Sequence, residues 1–117
     1  MPYKTITVPG NAVDPVKVTV EMPQFDDENK IIVNYQVWLI YGNNKDDVKH
    51  GTNSDSISDQ FELSESAQNL KGKMLRIDYT LINGKNADVN FYTSINNSEN
   101  IEQTLTETIS ISSFKFI

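Results

Sequence analysis

Apolar and polar side chains alternate with a period of two along much of this chain. The clearest alternating segment runs from Val16 to Met22, where Lys17, Thr19 and Glu21 share the polar face. This alternation is typical of an antiparallel strand that buries one face and exposes the other. Prolines bracket the segment, and proline cannot donate a hydrogen bond to a sheet ladder. The pattern therefore predicts a strand with a sharp beginning and end.

The longest apolar segment, residues 31–41, alternates less cleanly. One of its faces is continuously apolar, and the other carries Trp38 and Ile40 together with two amide side chains. A strand that is apolar on both faces is usually central in its sheet or covered on both sides. The polar stretch 48–58 that follows is compatible with a long loop or with a weak edge strand.

Residues 74–82 and 88–95 alternate in the same way and predict a hairpin. The pair Asn83-Gly84 favours a two-residue turn, but that register would set apolar side chains against charged ones. A five-residue loop over 83–87 places Tyr79 opposite Phe91, so that the two apolar faces coincide. A three-residue loop or a bulge is the competing solution.

In the segment 105–117 the apolar residues stand first at odd positions, up to Ile111, and then at even positions, Phe114 and Phe116. Such a change predicts a bulge or bend within one strand. A short helical turn is expected over 64–71. Seven or eight short strands at this spacing predict an all-β fold, an antiparallel Greek-key β-sandwich that forms one domain over residues 1–117. A small β-barrel is the alternative. The strand around Trp38 resembles the core strand of an immunoglobulin-like sandwich, in architecture only, because the cysteines and the tyrosine-corner pattern are missing.

Charge and composition exclude several classes of partner and chemistry. With 10 basic and 16 acidic side chains the net charge is −6, and the scattered cations form no basic stripe, so we expect no nucleic-acid partner. The same charge disfavours an anionic membrane, and no apolar run reaches the ~18 residues of a membrane-spanning helix. Without cysteine the chain has no disulfide and no thiolate chemistry. The N-terminal residues lack a signal-peptide core, so the default expectation is the cytoplasm, with signal-independent export as the alternative.

Catalytic constellations are not apparent in the sequence. His50 is the only imidazole, and neither a nucleophile elbow nor any other catalytic context accompanies it, so a solvated loop histidine is expected. Nothing among the 16 acidic residues singles out a catalytic pair. We therefore expect a protein that is not an enzyme and needs no cofactor. Calcium is the one ion considered, in the acidic loop that contains Asp26, Asp27 and Glu28, because carboxylate oxygens in loops are its usual ligands.

Two candidate binding surfaces follow from the predicted hairpin and from a surplus of apolar residues. The outer face of the hairpin would present an aromatic ring beside a guanidinium, a carboxylate and an amide, which is chemistry that stacks on and hydrogen-bonds sugars. That set consists of Arg76, Asp78, Asn90 and Tyr92. The apolar surplus would form a patch larger than a monomer normally exposes. The candidate interface residues are Trp38, Ile40, Phe114, Phe116 and Ile117.

These surfaces suggest two functions. The first is a non-enzymatic module that presents a surface, either as a self-assembling homo-oligomer or as an accessory subunit bound to a protein partner in a larger particle or toxin system. The alternative is a small lectin-like module that binds a glycan, with or without loop calcium.

Overall fold

The computed structural model describes residues 3–8, 15–25, 28, 30–83, 89–95, 101–105 and 109–117, and for 95, 101–105 and 109–112 it describes the backbone alone. These residues form two packed sheets and one short 3-10 turn. The strands are β1 Lys4–Ile6, β2 Pro15–Glu21, β3 Ile32–Tyr41, β4 Asn44–Thr52, β5 Ser58–Ser66, β6 Met74–Ile82, β7 Val89–Ile95, β8 Ile101–Leu105 and β9 Ile109–Phe116. The 3-10 turn covers Ala67–Leu70.

The five-stranded sheet, sheet A, has the order β1-β9-β6-β3-β4, and the four-stranded sheet B has the order β5-β2-β7-β8. All pairings are antiparallel except that of β1 with β9. The expectation of an all-β antiparallel sandwich is therefore confirmed. No helix in the described part of the chain is long and apolar enough to cross a membrane.

The core lies between the sheets and consists of the apolar faces that the alternation predicted. β2 contributes its valines, β3 contributes Val33 to Leu39 at every second position, and β6 contributes Leu75 to Leu81 in the same way. Across the gap, Phe91 of β7 stacks on Phe114 of β9 with ring centroids 5.2 Å apart. Each strand thus buries one face by meeting the opposite sheet, as a sandwich requires.

The predicted hairpin of residues 74–82 and 88–95 is wrong. β6 pairs with β3 and β9 in sheet A, whereas β7 pairs with β2 and β8 in sheet B. Both strands do point their alternating apolar side chains inward, but they face each other across the core instead of lying side by side. The predicted loop at 84–88 lies outside the described residues.

The structure also answers two other questions that the pattern left open. β3 and β4 form a hairpin whose turn is only Gly42 and Asn43. Of the polar stretch 48–58, which was compatible with a long loop or a weak edge strand, residues 48–52 belong to the edge strand β4 and residues 53–57 connect it to β5. Gly42 has φ +57°, a conformation that glycine adopts without strain. At the C-terminus, the segment 105–117 contains the last residue of β8 in sheet B and the whole of β9 in sheet A. The switch of parity lies within β9, between Ile111 and Phe114, but the register of β9 on β6 is unshifted from Ile109 to Lys115, so the predicted bulge is not found in this pairing.

A buried asparagine joins three segments at one end of the sandwich. Asn53 is 3 % exposed, and its Oδ1 accepts a 3.0 Å bond from the Val33 backbone N–H. Its Nδ2 donates to the carbonyl oxygens of Pro23 at 3.0 Å and of Ile31 at 2.8 Å. Because these three bonds satisfy buried backbone groups, Asn53 fixes where β3 begins.

A second polar link crosses between the sheets. The Tyr35 hydroxyl on β3 donates a hydrogen bond to the Asp59 carboxylate on β5. Burial, together with this acceptor, raises the pKa of Tyr35. A Cβ at Gly51, the register partner of Tyr35 on β4, would lie only 2.7 Å from Asp59 Oδ2 and 2.9 Å from the tyrosine ring. The tyrosine–aspartate link therefore requires glycine at this position.

Replacing Asn53 with alanine tests the buried link at the start of β3. We expect the Asn53→Ala variant to lose about 2–4 kcal/mol of unfolding free energy in urea, because buried backbone groups lose their partners. The matched control is Asn34→Ala on the exposed face of β3, which should change stability by no more than about 0.5 kcal/mol. Equal effects of the two substitutions would contradict the assigned role of Asn53.

Thr93 on β7 allows a test of the core by a substitution that is expected to increase stability. Its side chain is 1 % exposed, and its hydroxyl has no hydrogen-bond partner in the described structure. The Thr93→Val variant keeps the shape and removes the unsatisfied hydroxyl, so we expect it to unfold at higher urea and to gain about 1 kcal/mol. A clear loss of stability would show that the hydroxyl is satisfied in solution.

Candidate binding surface

The outer face of sheet A carries a compact block of large side chains. Trp38 of β3 lies opposite Arg76 of β6. Two residues further along β3, on the same face, Ile40 lies opposite Met74. All four side chains are half-buried and turn away from the core. We call this block the Trp38 patch. The patch forms because the outward-facing side chains near the end of β3 are apolar. They lie in register with the outward-facing side chains of β6.

A carboxylate fixes the polar centre of the patch. Asp78 Oδ2 accepts a hydrogen bond from Trp38 Nε1 at 3.0 Å and another from Arg76 Nη2 at 3.0 Å. Arg76 Nε also lies 2.9 Å from Asp78 Oδ1, an ionic contact that is not aligned as a hydrogen bond. A single carboxylate thus orients both the indole and the guanidinium. The side chains of Arg76 and Asp78 are 24 % and 34 % exposed, so the guanidinium and the carboxylate are both partly accessible to a partner.

Charged side chains surround the patch. Lys45 of β4 places its Nζ 4.2 Å from the centre of the Trp38 ring, a cation–π contact. Lys115 of β9 lies opposite Met74 on the other side. Beyond Trp38, Asp47 contacts the exposed imidazole of His50, with Oδ2 and Nδ1 3.5 Å apart. The result is an aromatic and aliphatic centre with a charged rim of both signs.

Tyr41 ends β3 just beyond the patch. Its hydroxyl donates to Asp46 Oδ2 at 2.9 Å, and this hydrogen bond raises the pKa of Tyr41. Lys73 Nζ lies 4.8 Å from the centre of the Tyr41 ring and 2.7 Å from Glu65 Oε2. Tyr41 has the inward parity of Leu39 and packs against the core, so these contacts order the end of β3 and not the outer face itself.

The structure separates the four residues of the predicted sugar platform. Arg76 and Asp78 lie on the outer face of sheet A, whereas Asn90 and Tyr92 belong to β7 in sheet B. Tyr92 lies opposite Thr19 of β2, so its ring is on the other outer face of the sandwich. This prediction was wrong because it depended on the hairpin. The four side chains cannot contact one small ligand.

The predicted interface residues also divide. Phe114 and Phe116 are fully buried in the core, so their expected role at an interface is corrected to a role inside the sandwich. Ile117 follows the end of β9 and is 49 % exposed. Trp38 and Ile40 lie on the outward face, as the alternation of residues 31–41 indicated, and they form half of the Trp38 patch.

The candidate calcium loop is only partly described. Asp26 and Asp27 lie outside the described residues, and Glu28 is an exposed turn residue. Among the residues that the structure describes, no three His, Cys, Asp or Glu side chains are grouped as metal ligands would be. His50, expected in a loop, lies instead on the edge strand β4 and is exposed.

Sequence reasoning missed two members of the surface, Met74 and Lys45. Met74 is two residues from Arg76, so the two side chains lie on the same face of β6. Met74 could therefore have been placed on the outer face from the sequence. Lys45 could not, because no apolar alternation around it predicts the strand that pairs with β3.

Comparisons with models of known protein families, with curated proteins and with solved structures find no match. The Trp38 patch must therefore be interpreted from its own chemistry.

The hydrogen bond at the centre of the patch can be tested by a double-mutant cycle. Trp38→Phe removes the indole N–H, and Asp78→Asn removes the charge of its acceptor while leaving the shape. We expect a coupling energy of about 0.5–1 kcal/mol between the two substitutions in urea unfolding, and the cycle separates this pair from the Arg76 contact. Strictly additive effects would contradict the bond between Trp38 and Asp78.

Proposed function

We propose that this chain is a non-enzymatic subunit of a protein assembly and that the Trp38 patch packs against another subunit. The observation that carries the proposal is the register of β3 on β6, which places Trp38 beside Arg76 and Ile40 beside Met74 on an outer face. Tryptophan, arginine and methionine are enriched in the buried centres of protein interfaces. The charged rim is the usual surrounding of such a centre.

The order of the patch before binding also supports this proposal. Asp78 holds the indole and the guanidinium through hydrogen bonds, and Lys45 covers the indole ring. Side chains that are already fixed lose little conformational entropy when a partner covers them. Preorganisation therefore favours recognition of a matching surface.

A lectin-like function receives less support from this geometry. The proposed sugar platform needed Tyr92 beside Arg76, and the two residues lie on different sheets. On the outer face of sheet A, the ring of Trp38 is covered by the Lys45 ammonium 4.2 Å away. A sugar would have to displace that cation before it could stack.

The patch contains the only tryptophan of the chain, so its burial can be observed directly. We expect absolute mass from light scattering to increase with concentration up to about 1 mM, and the Trp38 emission to shift to shorter wavelength over the same range. Ile40→Lys should abolish the emission shift, because it places a charge at the centre of the interface. Gln60→Lys, on the exposed outer face of sheet B, is the matched control and should leave both changes intact.

A monomeric mass with unchanged emission throughout that range would contradict assembly of this chain through the patch. A sugar that raises the melting temperature of the wild type, but not that of Trp38→Ala, would favour the lectin-like alternative instead.

A further inference from the structure

Among the described strands, the N-terminal arm, Tyr3–Val8, forms a ladder with β9 alone. β1 pairs with β9 through three register partners and occupies the edge of sheet A. Two further backbone bonds continue the contact, from Ile117 N to Ile6 O at 3.0 Å and from Val8 N to Ile117 O at 2.8 Å. The pairing is parallel, and parallel ladders are slightly less stable for each residue than antiparallel ones.

Two side chains anchor the arm in the core. Ile6 and Val8 are each 5 % exposed and alternate with Thr5 and Thr7, which face outward. Beside them lie the buried rings of β9, including Phe116. The groove along β9 is therefore a formed binding site with a known occupant, a short extended segment with apolar residues at alternate positions.

The chain connectivity does not require that this occupant come from the same molecule. The next strand, β2, lies in sheet B and has no ladder with β1. Residues 9–14 join the two strands, and six residues in extended form span about 20 Å. This reach exceeds the ~10 Å separation of packed sheets. The arm of a second molecule, lying beside the same edge, would make the same contacts with β9.

We infer that the chain forms dimers by reciprocal exchange of the arm Tyr3–Val8 onto β9 of a second copy. Exchange preserves the backbone hydrogen bonds between the arm and β9 and the burial of both apolar anchors. These contacts therefore favour neither the monomer nor the exchanged dimer. Reciprocal exchange closes as a two-fold symmetric dimer. A short linker gives the attached arm an effective concentration in the millimolar range, so exchanged dimers are expected as protein concentration approaches that level.

The absence of cysteine from the chain allows a direct test. Thr5 and Lys115 are register partners, so cysteines at these positions can form a disulfide when the arm is seated. One protein carries Thr5→Cys and a second carries Lys115→Cys, and the two are mixed over a range of concentrations before oxidation. A disulfide-linked heterodimer then forms efficiently only if the arm of one molecule occupies the groove of the other.

Two controls make the result decisive. Ser54→Cys, an exposed loop position at the end of the sandwich near Asn53, replaces Thr5→Cys in a parallel mixture and measures random collision. A single chain with both Thr5→Cys and Lys115→Cys shows that the cysteines react when the arm is seated. We expect the heterodimer fraction to rise with concentration to several times that of the Ser54→Cys mixture.

Equal heterodimer fractions in the two mixtures at every concentration, together with an efficient intrachain disulfide in the double variant, would overturn arm exchange. This outcome is independent of the Trp38 patch. Dimers that persist in Ile40→Lys and give the arm-specific disulfide would support arm exchange, whereas the concentration dependence of the Trp38 emission reports separately on assembly through the patch.

Discussion

The whole fold depends on one shared apolar layer between two sheets. Each strand has a face that must leave water, and the opposite sheet is the surface that covers it. The stack of Phe91 on Phe114, with 5.2 Å between ring centres, shows the two sheets meeting directly. The polar links Tyr35–Asp59 and Asn53 operate at the margins of this layer, where they fix register without interrupting it.

The sequence reveals which side of a strand is buried much better than it reveals which strand is the neighbour. Alternation is a local property, and it correctly assigned the inner faces of β2, β3, β6 and β7. Pairing is not local, and side-by-side strands give the same pattern as strands that face each other across a core. The turn at Asn83-Gly84 fitted no consistent hairpin register, and this conflict disappears once β6 and β7 lie in different sheets. Asn53 carried no sequence signal, because its role depends on three distant backbone groups.

The position of one strand decides which side chains share an outer face. With β6 in sheet A, Arg76 lies beside Trp38 and not beside Tyr92, so a residue first considered for sugar recognition becomes part of the Trp38 patch. Phe114 and Phe116 of β9 are buried in the core, so fewer large apolar side chains are exposed than the sequence suggested. The outer face of sheet A, with its fixed indole and guanidinium, then offers the most specific chemistry, whereas the arm on β9 offers a separate contact built from backbone pairing.

Cross-strand backbone NOEs in isotopically labelled protein would show directly whether β6 and β7 lie in different sheets. We expect NOEs that join the backbone protons of Tyr79 to those of Tyr35, and the backbone protons of Phe91 to those of Val20. Backbone NOEs that join Tyr79 to Phe91, or Leu81 to Val89, would show that β6 and β7 form a hairpin within one sheet and would overturn the sandwich topology described above.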